Sequence, residues 1–175
     1  MTRQELAKNI FSVAHLTGEF KLRSGQISNE YFDKYRFEAR PEILAHIAKQ
    51  MIPLIPEGTE VLAGLEMGGI PLATAISLAT GLPCVFVRKA AKNYGTEKFA
   101  EGFEISGKRV CIIEDVITTG GQVVLSTEDL RSVGAIIDDV LCVIDRGGGL
   151  ENLGKARLNM QALFTMAELK QAGLN

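Results

Sequence analysis

Apolar positions along the chain change rhythm near its first third, and that change predicts the architecture. Leu6, Ile10, Val13 and Ala14 recur at helical spacing and stop at Thr17-Gly18, which predicts an N-terminal helix ended by glycine. Phe20 to Phe37 is mixed, with turn residues at Ser24-Gly25 and Ser28-Asn29, and reads as a hairpin or short strands. A second helix is expected from Pro41, with Ile43, Leu44, Ile47 and Met51 on one face and Pro53 closing it. Beyond it, short continuous apolar runs alternate with helical patterns. Val61–Gly64, Cys84–Val87, Val110–Ile113, Asp139–Ile144 and Ala162–Phe164 read as strands; 71–80 and 122–133 read as helices ended by Gly81 and Gly134. Runs apolar on both faces imply an α/β fold with a parallel sheet covered by helices on each side. The stretch 88–107 has no periodicity, and an unstructured segment of that length inside a compact domain is usually functional or mobile.

Composition narrows the partners. The 175 residues fit a single domain, 1–175, and 46% hydrophobic against 23% charged residues is an ordinary globular balance. A formal charge of −2 supplies no global field for nucleic acid, so any anion must be held by a local cluster. Cys84, Cys111 and Cys142 are far apart, within apolar runs, and show no metal or redox spacing; they read as buried structural thiols. Their odd number and the charged N-terminal segment point to a reducing, cytoplasmic setting with no membrane span. His15 and His46 fall on expected helices remote from any motif, which leaves no histidine-based triad or metal site. Asp138-Asp139 reads as a solvated start to a strand.

The informative segment is Val110 to Gln122, a buried strand followed by Glu114-Asp115, the turn Val116-Ile117-Thr118-Thr119-Gly120-Gly121 and the start of a helix. Ligands of open α/β sheets sit beyond the carboxyl ends of strands. Glycines let backbone approach a ligand, and successive N–H groups with a helix N-terminus form an anion cradle to which Thr118 and Thr119 add hydroxyls. Glu114 and Asp115 cannot bind phosphate but can accept hydrogen bonds from vicinal sugar hydroxyls. A phosphate cradle beside a diol acceptor describes a ribose 5-phosphate pocket. The glycine spacing fits neither a dinucleotide fingerprint nor a phosphate loop ending in Lys-Ser/Thr. An acidic helix start alone would explain the carboxylates, but not the two threonines and two glycines that follow them.

This segment resembles the signature of the type I phosphoribosyltransferases. The resemblance implies a mostly parallel central sheet flanked by helices, with a small N-terminal hood to which residues 1–40 contribute. It also implies binding of 5-phosphoribosyl 1-diphosphate (PRPP) with Mg²⁺ carried on the pyrophosphate and no direct protein ligand to the metal. Three more segments are similar to orotate phosphoribosyltransferases: Phe20-Lys21-Leu22-Arg23-Ser24-Gly25 with Tyr31-Phe32-Asp33, Arg88-Lys89-Ala90-Ala91-Lys92-Asn93-Tyr94-Gly95, and Ile144-Asp145-Arg146. The likeness spans about Phe20 to Arg146, in the correct order. It implies transfer of the phosphoribosyl group to orotate, giving orotidine 5′-phosphate and pyrophosphate in de novo pyrimidine (UMP) synthesis. By that resemblance Arg88, Lys89, Lys92, Tyr94 and Glu114 to Gln122 bind PRPP, Lys92 and Asp115 are catalytic, and Arg23, Tyr31, Phe32, Thr118 and Arg146 bind orotate. Segment 88–107 becomes a mobile active-site loop that reaches the partner's site in a homodimer.

The chemistry agrees on its own terms. Orotate carries a carboxylate, and Arg146 offers a bidentate fork. Pyrophosphate departing from an anomeric carbon favours an oxocarbenium-like transition state; Arg88, Lys89 and Lys92 can neutralise the leaving charge together with Mg²⁺. Such a cation must be shielded from water, which a closing loop would do. Three positions depart from the pattern. Gly68 stands where a lysine is common, Tyr94 replaces a histidine and Arg23 replaces a lysine, so pyrophosphate contacts are where this chain is expected to differ. Glu66 lies in a turn near the pyrophosphate, where it would touch Mg²⁺ through water or face solvent. Two alternatives stay open: purine salvage by another type I transferase, and a nucleotide-sensing RNA-binding regulator on the same fold.

Overall fold

The structure is a computed structural model that describes residues 1–22, 24–90 and 99–174. Its main sheet has six strands: β3 (Val61–Leu65), β4 (Cys84–Val87), β5 (Ala100–Gly102), β6 (Arg109–Ile117), β7 (Ile136–Asp145) and β8 (Asn159–Thr165). Their order is β5-β4-β3-β6-β7-β8, with every pair parallel except β5 against β4. Two strands before it, β1 (His15–Lys21) and β2 (Ile27–Phe32), form a separate antiparallel hairpin whose register shifts between Thr17 and Phe20.

Alternation along β6 feeds two cores. Cys111 and Ile113 face one, built with α1 (Arg3–Ala14), α3 (Pro41–Met51), α4 (Gly69–Thr80) and α7 (Met166–Leu174). Val110 and Ile112 face the other, built with α5 (Gly121–Ser132) and α6 (Leu150–Lys155). Fully burying a Leu or Ile is worth about 1.5–3 kcal/mol. Leu6, Ile10, Ile47, Leu72 and Ile76, all 0% exposed, therefore anchor their helices to the first core. Cys111 and Cys142 are buried free thiols, and burial pushes Cys111 up to about 12; Cys84 is only half-buried. Among the described residues no helix is long and apolar enough to cross a membrane.

Several expectations need correcting. The first helix ends at Ala14, so Thr17-Gly18 lies inside β1. The His15 backbone N–H still closes the helix on the Phe11 carbonyl, but pairing with β2 then takes over the chain. Helix α4 starts at Gly69, two residues earlier than read; Pro71 falls within the first turn, where no intrahelical N–H is needed. Strand β7 begins at Ile136 rather than Asp139, and Asp138 is solvent-exposed there as expected. The aperiodic stretch contains the three-residue edge strand β5, too short to show a period. Helices α6 and α7 were not predicted: α6 is six residues long, and the Met166–Leu174 pattern follows β8 without a turn signal.

Candidate active site

Strand β6 decides where the chemistry sits. It runs to Ile117, so Glu114 and Asp115 lie in the strand itself and not in the turn. Only 118–120 turn. Gly120 is left-handed at φ 72° directly before α5, and a Cβ there would sit 3.0 Å from Leu153 of α6. The turn is braced from below. Asn152 Nδ2 donates to the Thr119 carbonyl at 2.8 Å, and the Arg146 backbone N–H donates to the Ile117 carbonyl at 2.9 Å. Thr118, Thr119, Gly121 and Gln122 are exposed, and the free N–H groups of the first turn of α5 open beside them. Gln122 also donates to Ser126 Oγ at 3.3 Å, along its own helix.

Next to this turn is a cleft of about 510 Å³ between the hairpin and the strand ends. Tyr31 and Phe32 from β2, Val116 and Thr118 from the end of β6, and Arg146 after β7 line it together. Segments more than a hundred residues apart thus meet at one cleft. Tyr31 packs on Phe20 with ring centroids 5.6 Å apart. His15, expected on a helix remote from the motif, instead begins β1 and lines this same cleft. It stacks on Phe11 at 4.6 Å and its Nε2 meets Glu30 Oε2 at 2.9 Å. His46 stays on α3, as read.

Behind the cleft is a cluster the sequence reading missed. Asp115 is fully buried. Its Oδ1 accepts the Val116 backbone N–H at 2.5 Å, and its Oδ2 pairs with Lys34 Nζ at 2.6 Å. Lys34 also lies 5.3 Å from the Tyr35 ring and lines the cleft. Glu38, on the short helix α2 (Tyr35–Glu38), is buried at 7% exposure, and its Oε1 and Asp115 Oδ2 both lie beside Gly68. Burial, then the Asp115 carboxylate, pushes the Glu38 carboxyl up to about 9, so it carries a proton at neutral pH. Burial and the neighbouring Asp115 likewise raise Glu114 well above the usual carboxylate range. The same two influences act on Lys34 in opposite senses: burial lowers it, but hydrogen bonding and attraction to Asp115 prevail and raise it. The lysine remains the cation of the group.

Gly68 falls against this cluster. A Cβ at Gly68 would sit 1.7 Å from Asp115 Oδ2 and 2.7 Å from Glu38 Oε1, so no side chain fits there with these carboxyls in place. Glycine at 68 leaves room for these carboxyls, and the cation beside Asp115 comes from Lys34.

At the other strand ends, Arg88 follows β4 and its Nε lies 3.7 Å from Glu101 Oε1 of β5. The Lys89 backbone N–H donates to Glu66, whose carboxylate thereby ties the end of β3 to the end of β4. Arg23, Lys92 and Tyr94, three of the expected ligands, lie outside the described residues. Among the described residues no trio of His, Cys, Asp or Glu side chains is placed to hold a metal ion. Mg²⁺ commonly arrives on phosphate ligands and needs no dedicated protein cage.

Comparison with known proteins places this geometry. The sequence profile of the phosphoribosyl transferase domain matches residues 35–161. The chain is 52% identical over 168 residues to an orotate phosphoribosyltransferase of Nocardioides sp., covering 95% of this chain and 94% of the relative. It is 43% identical to the orotate phosphoribosyltransferase of Methanocella arvoryzae, covering 87% of each. Among solved structures, the Mycobacterium tuberculosis orotate phosphoribosyltransferase in complex with PRPP superposes with a TM-score of 0.82 at 30% identity, over 96% of this chain and 98% of that one. The same enzyme in complex with Fe(III) dicitrate gives 0.86 at 32% identity, over 95% and 98%. With its strand-end turn, its cleft and these relatives, the chain belongs to the phosphoribosyltransferase family, among the orotate phosphoribosyltransferases.

Proposed function

We propose that this protein transfers the 5-phosphoribosyl group of PRPP to orotate, releasing pyrophosphate and forming orotidine 5′-phosphate for pyrimidine nucleotide synthesis. The observation that carries this reading is the meeting of an open strand–turn–helix anion cradle with a cleft faced by Arg146, Thr118, Tyr31 and Phe32. The exposed turn and the N–H groups opening α5 hold the 5-phosphate, with Thr118 and Thr119 hydroxyls as further donors. Val116 and Ile117 lead the chain into that turn, and Gly120 and Gly121 keep it low enough for phosphate to approach. Glu114 and Asp115 accept the ribose hydroxyls. Arg146 engages the orotate carboxylate through its fork, and Tyr31 and Phe32 flank the ring. Arg23 completes that end of the pocket in this reading.

Arg88, Lys89, Lys92 and Tyr94 are assigned to the pyrophosphate, whose departure builds charge that fixed cations stabilise. Lys92 and Asp115 take the catalytic roles, one at the leaving group and one at the ribose that becomes cationic. Mg²⁺, when bound with PRPP, neutralises the pyrophosphate oxygens. Residues 1–40 contribute to the hood over the base, and segment 88–107, apart from the edge strand β5, is assigned to the loop that closes on a partner subunit's site in a homodimer. A cytoplasmic setting agrees with the free thiols of Cys84, Cys111 and Cys142. Neither a nucleic acid nor a membrane is part of this reading.

The test is a substrate screen: PRPP and Mg²⁺ with orotate, uracil, adenine, guanine or xanthine, following pyrophosphate release. Release with orotate alone is expected. Turnover of a purine without orotate turnover would move the protein to purine salvage, and no release with any base would remove the transferase reading.

A further inference from the structure

We propose that Lys34 and Glu38 are positioning residues for Asp115: the Lys34 ammonium fixes one carboxylate oxygen while Glu38, as a carboxylic acid, donates a hydrogen bond to the same carboxylate. The proposal rests on the assignment of Asp115 to the ribose. It adds what holds that carboxylate in one orientation and one charge state.

The geometry is specific. Asp115 is 0% exposed, so no bulk water completes its hydrogen bonding. Backbone N–H from Val116 and Lys34 Nζ are the donors that reach it at 2.5 and 2.6 Å. Glu38 Oε1 and Asp115 Oδ2 both crowd the point where a Gly68 Cβ would lie, and both are sealed from solvent. Two ionised carboxylates held that close would repel with nothing to screen them. One proton between them converts the repulsion into a hydrogen bond, and Glu38, the one without a cation of its own, is the group that keeps it. The charges facing Glu38 are Asp115 and Glu114 from β6 and Lys34 and Asp33 from the segment leading into α2. One lysine is therefore matched to one ionised carboxylate. Gly68 completes the device by leaving room for it.

Lys34 lines the cleft just after the hairpin, and Asp115 lies behind the cleft in the main sheet. Their pair ties the hairpin end to the sheet where the ribose would sit. Loss of either positioning residue should therefore act on PRPP and leave orotate recognition at Arg146 alone.

The experiment compares Glu38→Ala, Glu38→Gln, Lys34→Ala and Lys34→Arg with the wild type. PRPP binding is followed by calorimetry, KM is measured separately for PRPP and orotate, and the rate is followed from pH 6 to 10. Losing a charge-assisted hydrogen bond should raise the PRPP KM and Kd of Glu38→Ala and Lys34→Ala by about tenfold or more, with orotate KM unchanged. Glu38→Gln retains an N–H donor and should bind PRPP within about threefold of wild type. The wild type should lose PRPP affinity as the pH rises through about 9, where Glu38 gives up its proton, and Glu38→Gln should not. Lys34→Arg keeps the charge and should recover most of the affinity lost in Lys34→Ala. If a folded Glu38→Gln is as impaired as Glu38→Ala, or shares the alkaline loss of the wild type, the positioning role is wrong. The same holds if orotate KM moves in step with PRPP KM. A wild type that binds PRPP but turns over no base would fault the orotate reading and leave the calorimetric comparison standing.

Discussion

The turn that follows β6 and the acid cluster within β6 share one strand but are built differently. The turn, 118–120 with the start of α5, works through its backbone: free N–H groups, a left-handed Gly120 and a brace from Asn152. All of its working parts except that brace are contiguous in the chain. The cluster works through side chains from three segments, Lys34 and Glu38 around α2, Gly68 before α4 and Glu114-Asp115 in β6. A backbone cradle offers fixed partial charges that a phosphate can enter without altering any protonation state. A buried carboxyl cluster must instead set how many of its members are ionised, which makes it sensitive to every neighbour and to pH. The two ends of one ribose phosphate would therefore be gripped by a stiff element and a tunable one.

Substitutions can break or sharpen this contrast. The largest effect is expected at Gly68. Gly68→Ala forces a methyl into space held by Asp115 and Glu38, and overpacking of this kind costs about 1–3 kcal/mol of stability. Displacing Asp115 should also lower kcat/KM by roughly 10²-fold or more. Steady-state kinetics with thermal unfolding checks both, and near-normal activity would show that the cluster yields more easily than its packing suggests.

Arg146→Ala comes next and separates the base from both halves of the grip. Removing hydrogen bonds from a charged group costs about 1.5–3 kcal/mol, so orotate KM should rise about 10- to 100-fold. PRPP KM should stay put, because the Arg146 side chain is exposed toward the cleft and only its backbone N–H touches the turn.

The third prediction is thermodynamic. The Glu38 carboxyl lies at about 9 in the fold against an ordinary 4.5, so the folded state holds a proton that the unfolded chain releases. Its contribution is fully present below about pH 4.5 and is lost as the pH rises through about 9. The Tm of the wild type should accordingly fall by several degrees more between pH 5 and pH 9 than that of Glu38→Gln. Parallel Tm profiles for the two proteins would place the proton elsewhere in the cluster.

The smallest effect is expected in the brace. Asn152→Ala removes one neutral hydrogen bond, worth about 1 kcal/mol, and should raise PRPP KM by no more than about fivefold. A loss as large as that of Gly68→Ala would mean the turn is not stiff on its own account, and the contrast drawn between the two regions would fail.

The legibility of the site follows the same division. Val110 to Gln122 could be read because strand, turn chemistry and helix start follow one another within a few residues. Lys34 and Glu38 gave no such signal. Spaced four apart in a charged stretch, they look like a solvated helical ion pair, and nothing local says that both turn inward to Asp115. Asn152 is equally silent, an amide on a helix too short to predict. His15 was placed on a helix because its apolar neighbours continue the helical spacing, yet cross-strand pairing with Phe32 prevailed.

By itself the sequence determined the α/β alternation, the two buried faces of the sheet, the strand–turn–helix motif and the family, since each depends on periodicity or on contiguous residues. Tertiary structure alone decided that Asp115 is buried rather than exposed in a turn, that Lys34 is its cation and that Glu38 and Gly68 lie against it. Those are properties of contacts between segments brought together by folding. The charge carried by a carboxyl depends on its distance from other charges and from water, and no local sequence pattern fixes either.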